Sequence, residues 1–249
     1  MNPATPLDNV RIVLSHTSHP GNIGAAARSM KTMGLDKLYL VNPKSFPDSE
    51  ADARASNARD ILETARVCST LEEAIGDTFL AAALTARRRD LPHPTCSARQ
   101  AAMELMQHAR HHPVALLFGR ESAGLTSAEI SHCQLTVHIP ANPAYSSLNL
   151  AAAVQIMAYE LRMVLEEDAA TAHCSASRLP DAASLHEIEG FHCHLEQVMI
   201  HSGFMDPEQP KHLMRRMRRL FARTRLEKEE VNILRGLLAA VSPKKRTDG

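Results

Sequence analysis

Polar groups beside small or rigid residues mark three stretches of this sequence as places where chemistry could occur. The densest is residues 137–160, VHIPANPAYSSLNLAAAVQIMAYE. Val137, His138 and Ile139 close a short apolar run, and Pro140 and Pro143 stiffen the loop that follows. Ser146 and Ser147 then stand ahead of an apolar wall broken only by Asn149 and Gln155. A serine hydroxyl ahead of an apolar run accepts from an unpaired backbone N–H, so this pair is expected to open a helix. A helix apolar on nearly every side is expected to be buried. A donor-rich helix start carried into the core by a rigid loop is a seat for a small ligand, although the pattern equally fits an ordinary capped core helix. The other two stretches are Thr85-Ala86, after the apolar run 79–84, and residues 119–125, GRESAGL, after the apolar run 114–118. No GxGxxG follows the first apolar run and no GxxxxGK[ST] occurs, so a nucleotide-like ligand would be held in a different manner.

The elements that must position these loops alternate in type. Short apolar runs without polar alternation at 11–14, 38–41, 67–68, 79–84, 114–118 and 135–139 read as strands of a parallel sheet covered on both faces. Between them, helices are expected over 23–33 (with Gly34 as its stop), 52–65, 97–110 and 127–131, and a core helix to about 167. The fold class is therefore α/β, with ligands expected where loops leave the carboxyl ends of the strands. Residues 168–183 are small, polar and Pro-containing and read as a linker after a first domain of 1–167. Residues 184–249 read as a small all-helical domain: helices over 184–202 and 210–222, then one opened by a capping box from Thr224 to Glu227.

Composition narrows the function classes. The chain has 249 residues and 44% apolar content, enough to bury a substantial core. No apolar run approaches the roughly 18 residues needed to span a bilayer, and the N-terminal residues lack the pattern of a secretory leader, so a cytoplasmic protein without membrane contact is expected. Five cysteines at irregular spacing without a CxxC pair fit reduced thiols. Fourteen histidines raise a metal reading, but in the densest group (His192, Cys193, His194, His201) position 198 is Val where a helical ligand partner of His194 would sit, so no metal is expected. Net charge is zero but segregated. Residues 211–246 hold twelve Lys/Arg against three acids, which leaves the remainder acidic. A basic block on an acidic body is the asymmetry of an appended polyanion-binding element; a solvated helix face is the competing reading.

Three segments together resemble the motifs of the knotted SPOUT methyltransferases, and within them the bacterial tRNA 2′-O-ribose methyltransferases that act on anticodon-loop nucleotide 32. They are TSHPGNIGAAARSMKTMG (residues 17–34), LLFGRESAGLTSAEI (116–130) and IPANPAYSSLNLAAAVQIMAYELR (139–162). The resemblance spans about residues 8–165, and the basic block with EKEEVNILRGLL is similar to the helical C-terminal extension of those enzymes.

That resemblance implies a C-terminal trefoil knot threading the chain from about 119 to 160, a homodimer with shared active sites, S-adenosylmethionine as methyl donor and tRNA as substrate. It implies a cofactor site at Leu84, Thr85, Ala86, Gly119, Ile139, Ser146, Ser147 and Leu148, with Gly119 and Gly124 allowing close backbone approach. Arg28 matches the family's catalytic arginine. A guanidinium has no acceptor and almost never loses its proton, so Arg28 is expected to clamp a phosphate and stabilise the emerging alkoxide rather than act as a base. Ser147 is expected to bond the ribose or phosphate, or to cap its helix. Among supporting residues, Asn22 is expected to fix the turn before Arg28 or touch RNA. Glu121 would anchor Arg28 across the dimer or pair locally with Arg120, Asn149 would pin buried backbone, and Arg87, with Arg88 and Arg89, would contact phosphates. Two other readings fit part of this pattern: a related enzyme acting elsewhere on tRNA or rRNA, and a catalytically silent RNA-binding module.

Overall fold

The computed structural model describes residues 5–86, 95–171, 183–209 and 212–242. The chain divides into two compact units, Met1–Ala176 and Ser177–Gly249.

The first unit is built on seven strands: β1 (Val10–Ser15), β2 (Lys37–Val41), β3 (Arg66–Cys68), β4 (Leu80–Leu84), β5 (Thr95–Ser97), β6 (Val114–Phe118) and β7 (Leu135–His138). All pair in parallel, in the order β3-β2-β1-β6-β4-β7-β5. Every residue of β1 and β6 is buried, as a sheet covered on both faces requires, Arg11 in β1 being paired with Asp77. The carboxyl ends of β1, β6, β4 and β7 lie side by side, so the loops leaving them share one edge of the sheet. The helices of this unit are α1 (Pro20–Met33), α2 (Ser49–Ala55), α3 (Arg59–Glu63), α4 (Leu71–Ile75), α5 (Ala98–Ala109), α6 (Ser127–Ser131) and α7 (Leu150–Thr171). Helix α1 buries Ile23, Ala26, Ala27 and Met30 and ends at Gly34, whose φ of 83° is the left-handed stop expected of a glycine there.

Four expectations are corrected. The helix expected over 52–65 is two helices separated by a 3-10 turn at Ser56–Ala58, with Ser56 at φ 54°. Ser56 and Asn57 compete for backbone hydrogen bonds and interrupt a helix that apolar spacing alone would continue. The long helix opens at Leu150, three residues beyond the serine pair, because the Asn149 side chain accepts from the Ala151 N–H at 2.9 Å. Nor is α7 buried all round. Leu150, Val154, Met157, Ala158 and Leu161 face the core beside α1 and α5, while Ala152 and Tyr159 are exposed and Ile156 is half-buried. Two short elements, α4 and β5, were not expected. The signal for α4 was present in Thr70-Leu71-Glu72-Glu73, since the Thr70 hydroxyl accepts from the Glu73 N–H and the Glu73 carboxylate accepts from the Ser69 N–H. Helix α7 continues to Thr171, and residues 172–182 of the expected linker lie outside the described residues.

The second unit is all-helical: α8 (Leu185–His201), α9 (Leu213–Ala222) and α10 (Lys228–Val241). Ala183, Phe191, Leu226, Val231 and Leu238 form its core, with Ile188, Leu195, Val198, Phe221 and Leu234 against it. Arg218 on α9 makes a two-pronged pair with Glu189 on α8. The last helix is capped by Glu227 with Glu230 rather than opened at Thr224, whose hydroxyl instead donates to the Phe221 carbonyl at 2.8 Å. No described helix is long and apolar enough to cross a membrane.

Candidate active site

The loop after β6 is folded back on itself. The Gly124 N–H donates to the Arg120 carbonyl at 2.8 Å, and a Cβ on Gly119 would lie 2.2 Å from the Gly124 carbonyl carbon and the Leu125 nitrogen. Only glycine fits that approach. Its two charged residues then reach in different directions. Arg120 donates to Glu129 on α6 at 2.9 Å. Glu129 also accepts from the Ser15 hydroxyl at the end of β1 and from the Thr126 N–H at 2.6 Å. Burial pushes the Glu129 carboxyl up, but the hydrogen bonds from Ser15, Thr126 and Arg120 outweigh it and bring the pKa down to about 2.

Glu121 turns to the start of α1. It accepts from the Ser18 N–H at 3.1 Å and hydroxyl at 2.9 Å, from the His19 N–H at 3.2 Å and from the Asn22 amide at 3.0 Å. Burial again opposes the charge, and the bonds from Asn22 and Ser18 overcome it, holding this carboxyl at about 2 as well. The local Arg120–Glu121 pair does not form. Within the chain Glu121 serves the α1 entry rather than Arg28, because unpaired N–H groups at a helix entry are the stronger local demand for a carboxylate.

The web continues to the third loop. Asn22 accepts from the Asn149 amide at 3.1 Å, while Asn149 also caps α7. Asn149 is exposed rather than set in a buried wall, since the helix it caps begins only at the next residue. A hydrogen-bonded line, Glu121–Asn22–Asn149, thus ties the loops after β1, β6 and β7 together.

Between the loops after β4, β6 and β7 lies a cavity of about 390 Å³. Leu84, Thr85, Ala86, Gly119, Ile139, Ser146, Ser147 and Leu148 all line it, as do Phe118, Leu125 and Leu150 on its apolar side and Arg120, Glu121 and Tyr145. Thr85 is held by its N–H to the Val137 carbonyl at 2.9 Å. Ser147 is exposed and Ser146 half-buried, ahead of the helix rather than in it. Asn22, Arg28 and Asn149 do not line the cavity. Arg28 stands exposed on α1, its guanidinium without a hydrogen bond or ion pair among the described residues. Arg87, Arg88 and Arg89 lie outside the described residues. Reading from residues missed Ser18 and Glu129. The Thr126-x-x-Glu129 capping box was the visible signal for Glu129, but nothing local marks Ser18 as a donor to a carboxylate more than a hundred positions away.

A family model described as the SpoU rRNA Methylase family matches residues 9–159. The chain belongs to that family. The match covers every strand and loop of the site, and the SPOUT fold class expected from the three motifs holds. A second model, the C-terminal domain of the tRNA methyltransferase TrmJ, matches residues 186–249. The chain is 47% identical over 243 residues to the tRNA (cytidine/uridine/adenosine-2′-O-)-methyltransferase TrmJ of Pseudomonas aeruginosa, covering 93% of each. It is 46% identical over 249 residues to the tRNA (cytidine/uridine-2′-O-)-methyltransferase TrmJ of Yersinia enterocolitica, covering 98% of this chain and 97% of that one. The crystal structure of TrmJ from Z. mobilis superposes with a TM-score of 0.82 at 32% identity, covering 93% of this chain and 98% of that chain.

Proposed function

We propose that this SpoU methylase transfers the methyl group of S-adenosylmethionine to a ribose 2′-hydroxyl in the tRNA anticodon loop, at cytidine or uridine of nucleotide 32. The observation that carries the reading is the convergence of the loops after β4, β6 and β7 on one cavity, the last two tied through Asn22 by the Glu121–Asn22–Asn149 line. The cavity suits the donor. Its volume lies in the range of small-molecule sites, and its walls pair apolar residues (Leu84, Phe118, Ile139, Leu148) for a flat base with the hydroxyls of Thr85, Ser146 and Ser147. The clash a Cβ would make at Gly119 shows backbone brought close around the site, where N–H and C=O groups can recognise an adenine.

Bound S-adenosylmethionine supplies an electrophilic sulfonium methyl. The chain must present the 2′-oxygen in line and steady the charge that grows on it. Arg28, an exposed cation with no partner in its own chain among the described residues, is suited to hold the adjacent phosphate and that oxygen. The hydroxyl proton leaves to solvent as the oxygen–carbon bond forms and the carbon–sulfur bond breaks.

Because Arg28 does not line the cavity of its own chain, the reading includes a homodimer in which a second copy's Arg28 completes the site. The outer face of α7, with Ala152 exposed, Ile156 half-buried and Tyr159 50% exposed, supports such an interface. Threading of residues 119–160 through a trefoil knot belongs to the same reading, as does action in the cytoplasm.

The test is methyl transfer from labelled S-adenosylmethionine to bulk tRNA, followed by nuclease mapping. Label at nucleotide 32 is expected. Label at another 2′-position would move the target within the family. Tight tRNA binding without label would make the chain a silent binding module, and failure to bind either tRNA or S-adenosylmethionine would end the reading.

A further inference from the structure

We propose that Tyr145 is a stacking platform for the base of the nucleotide being methylated. This rests on the reading that the cavity holds the methyl donor and receives the target ribose at its mouth. The chain has three tyrosines, six phenylalanines and no tryptophan; Phe46 packs against the core of the first unit, and Phe204, 70% exposed, lies in the second unit and does not line the cavity. Phe118 and Phe191 are buried, Phe79 lies against His108, and Phe221 stands edge-on to Phe191. Tyr39 lies under Arg11, and Tyr159 belongs to the exposed face of α7. Tyr145 differs from them: it lines the cavity yet is 78% exposed, with no ring contact among the described residues.

It is also held firmly. The Tyr145 N–H donates to the Asn142 carbonyl at 2.9 Å, and the Ala144 N–H donates to the Asn142 side chain at 3.0 Å. With Pro143 fixing φ between them, this is an Asx-type turn that sets the backbone at 145 before the chain enters Ser146 and Ser147. A rigid turn is thus spent on presenting one aromatic ring to solvent at the edge of a site. A planar partner laid on such a ring removes apolar area from water on both sides.

The reaction supplies a partner of the right shape. The methyl goes to the ribose, so the base is carried along and must be held without being chemically used. Stacking does this for any base, because every base has a π-face, and single-stranded RNA loops are bound through unstacked bases laid on aromatic side chains.

The test compares wild type, Tyr145→Phe and Tyr145→Leu on tRNA, and on an anticodon stem-loop with 2-aminopurine in place of the nucleotide that the wild type is mapped to methylate. Stacking quenches 2-aminopurine, so wild type and Tyr145→Phe are expected to quench it and to share a KM for tRNA. Tyr145→Leu should lose the quenching and raise KM by about 5- to 150-fold, the range that one base–aromatic stack spans. Mass in solution should stay unchanged in all three. Unchanged KM and quenching in Tyr145→Leu would overturn the proposal. So would equal impairment of Tyr145→Phe, which would assign the role to the hydroxyl, or a loss of mass in Tyr145→Leu, which would place the ring in a subunit contact. Failure of the wild type itself to methylate tRNA would remove the functional reading beneath it.

Discussion

The residue on which the proposed chemistry turns, Arg28, makes no commitment within its own chain: it is exposed on α1 and unpaired among the described residues. Its planar fork can bind a phosphate in two-pronged fashion, whereas a lysine offers only a point charge. Arg28→Lys is therefore expected to keep tRNA affinity within a few-fold and to lose about 10²–10³-fold in kcat, as for other donors aimed at a developing oxyanion. Single-turnover rates alongside tRNA binding check this, and full activity of the variant would exclude the clamp. Ser147 and Asn149 divide the two roles that sequence alone could not separate. Asn149 is the cap, so Asn149→Ala should cost about 1 kcal/mol of stability in urea unfolding. Ser147 is exposed and caps nothing, so Ser147→Ala should leave stability unchanged, and any effect it has on turnover would come from contact with substrate or cofactor.

At the scale of the elements, the loop after β6 is clamped at both charged residues, and both clamps are carboxylates held at about 2 against an ordinary value of 4.5. A depressed carboxylate binds fewer protons folded than unfolded, so its contribution is complete above about pH 4.5 and is lost as pH falls toward 2. Stability should accordingly be insensitive to these two groups from pH 5 to 8 and fall through the acid range. Urea unfolding from pH 5 to 2.5 should show a shallower fall in Glu121→Gln and Glu129→Gln than in wild type; an equal slope would mean the clamps contribute nothing. This is also where the sequence was least legible. The strands could be read because parallel strands buried on both faces are plain apolar runs, as in β6 and β4. The helix start after β7 could not be fixed, because Ser146, Ser147 and Asn149 are all good caps. What selects Asn149 is its bond to Asn22, more than a hundred residues away in the chain. The partners of Arg120 and Glu121 were hidden for a related reason: adjacent opposite charges suggest a local pair, but here they diverge to α6 and α1. The break at Ser56 left no mark in the apolar spacing.

For the whole molecule, a net charge of zero conceals the feature that bears most on its partner, since the positive charge is gathered near the C-terminus and the body is left acidic. Within that region the arginines are not equivalent. Arg218 is spent on Glu189 and holds α9 to α8, so removing it would test folding rather than binding. Arg215, Arg216 and Arg223 are exposed and near one another in sequence on and just after α9. If they meet tRNA phosphates, each contact releases counterions, and log affinity falls with log salt by about 0.7–0.9 per phosphate. Replacing all three by Ala should flatten that slope by about 2 to 3, with the largest loss of affinity at low salt, while affinity for S-adenosylmethionine stays the same because the cavity lies wholly in the first unit. Stability should change little, since exposed side chains away from caps and cores contribute within about 0.5 kcal/mol each. An unchanged slope would make α9 a solvated face and leave recognition to the sheet edge alone. A uniform drop in affinity at every salt concentration would point to lost shape rather than lost charge. The charge segregation predicts the first outcome, because only a phosphate-facing surface makes the variant's deficit shrink as salt rises.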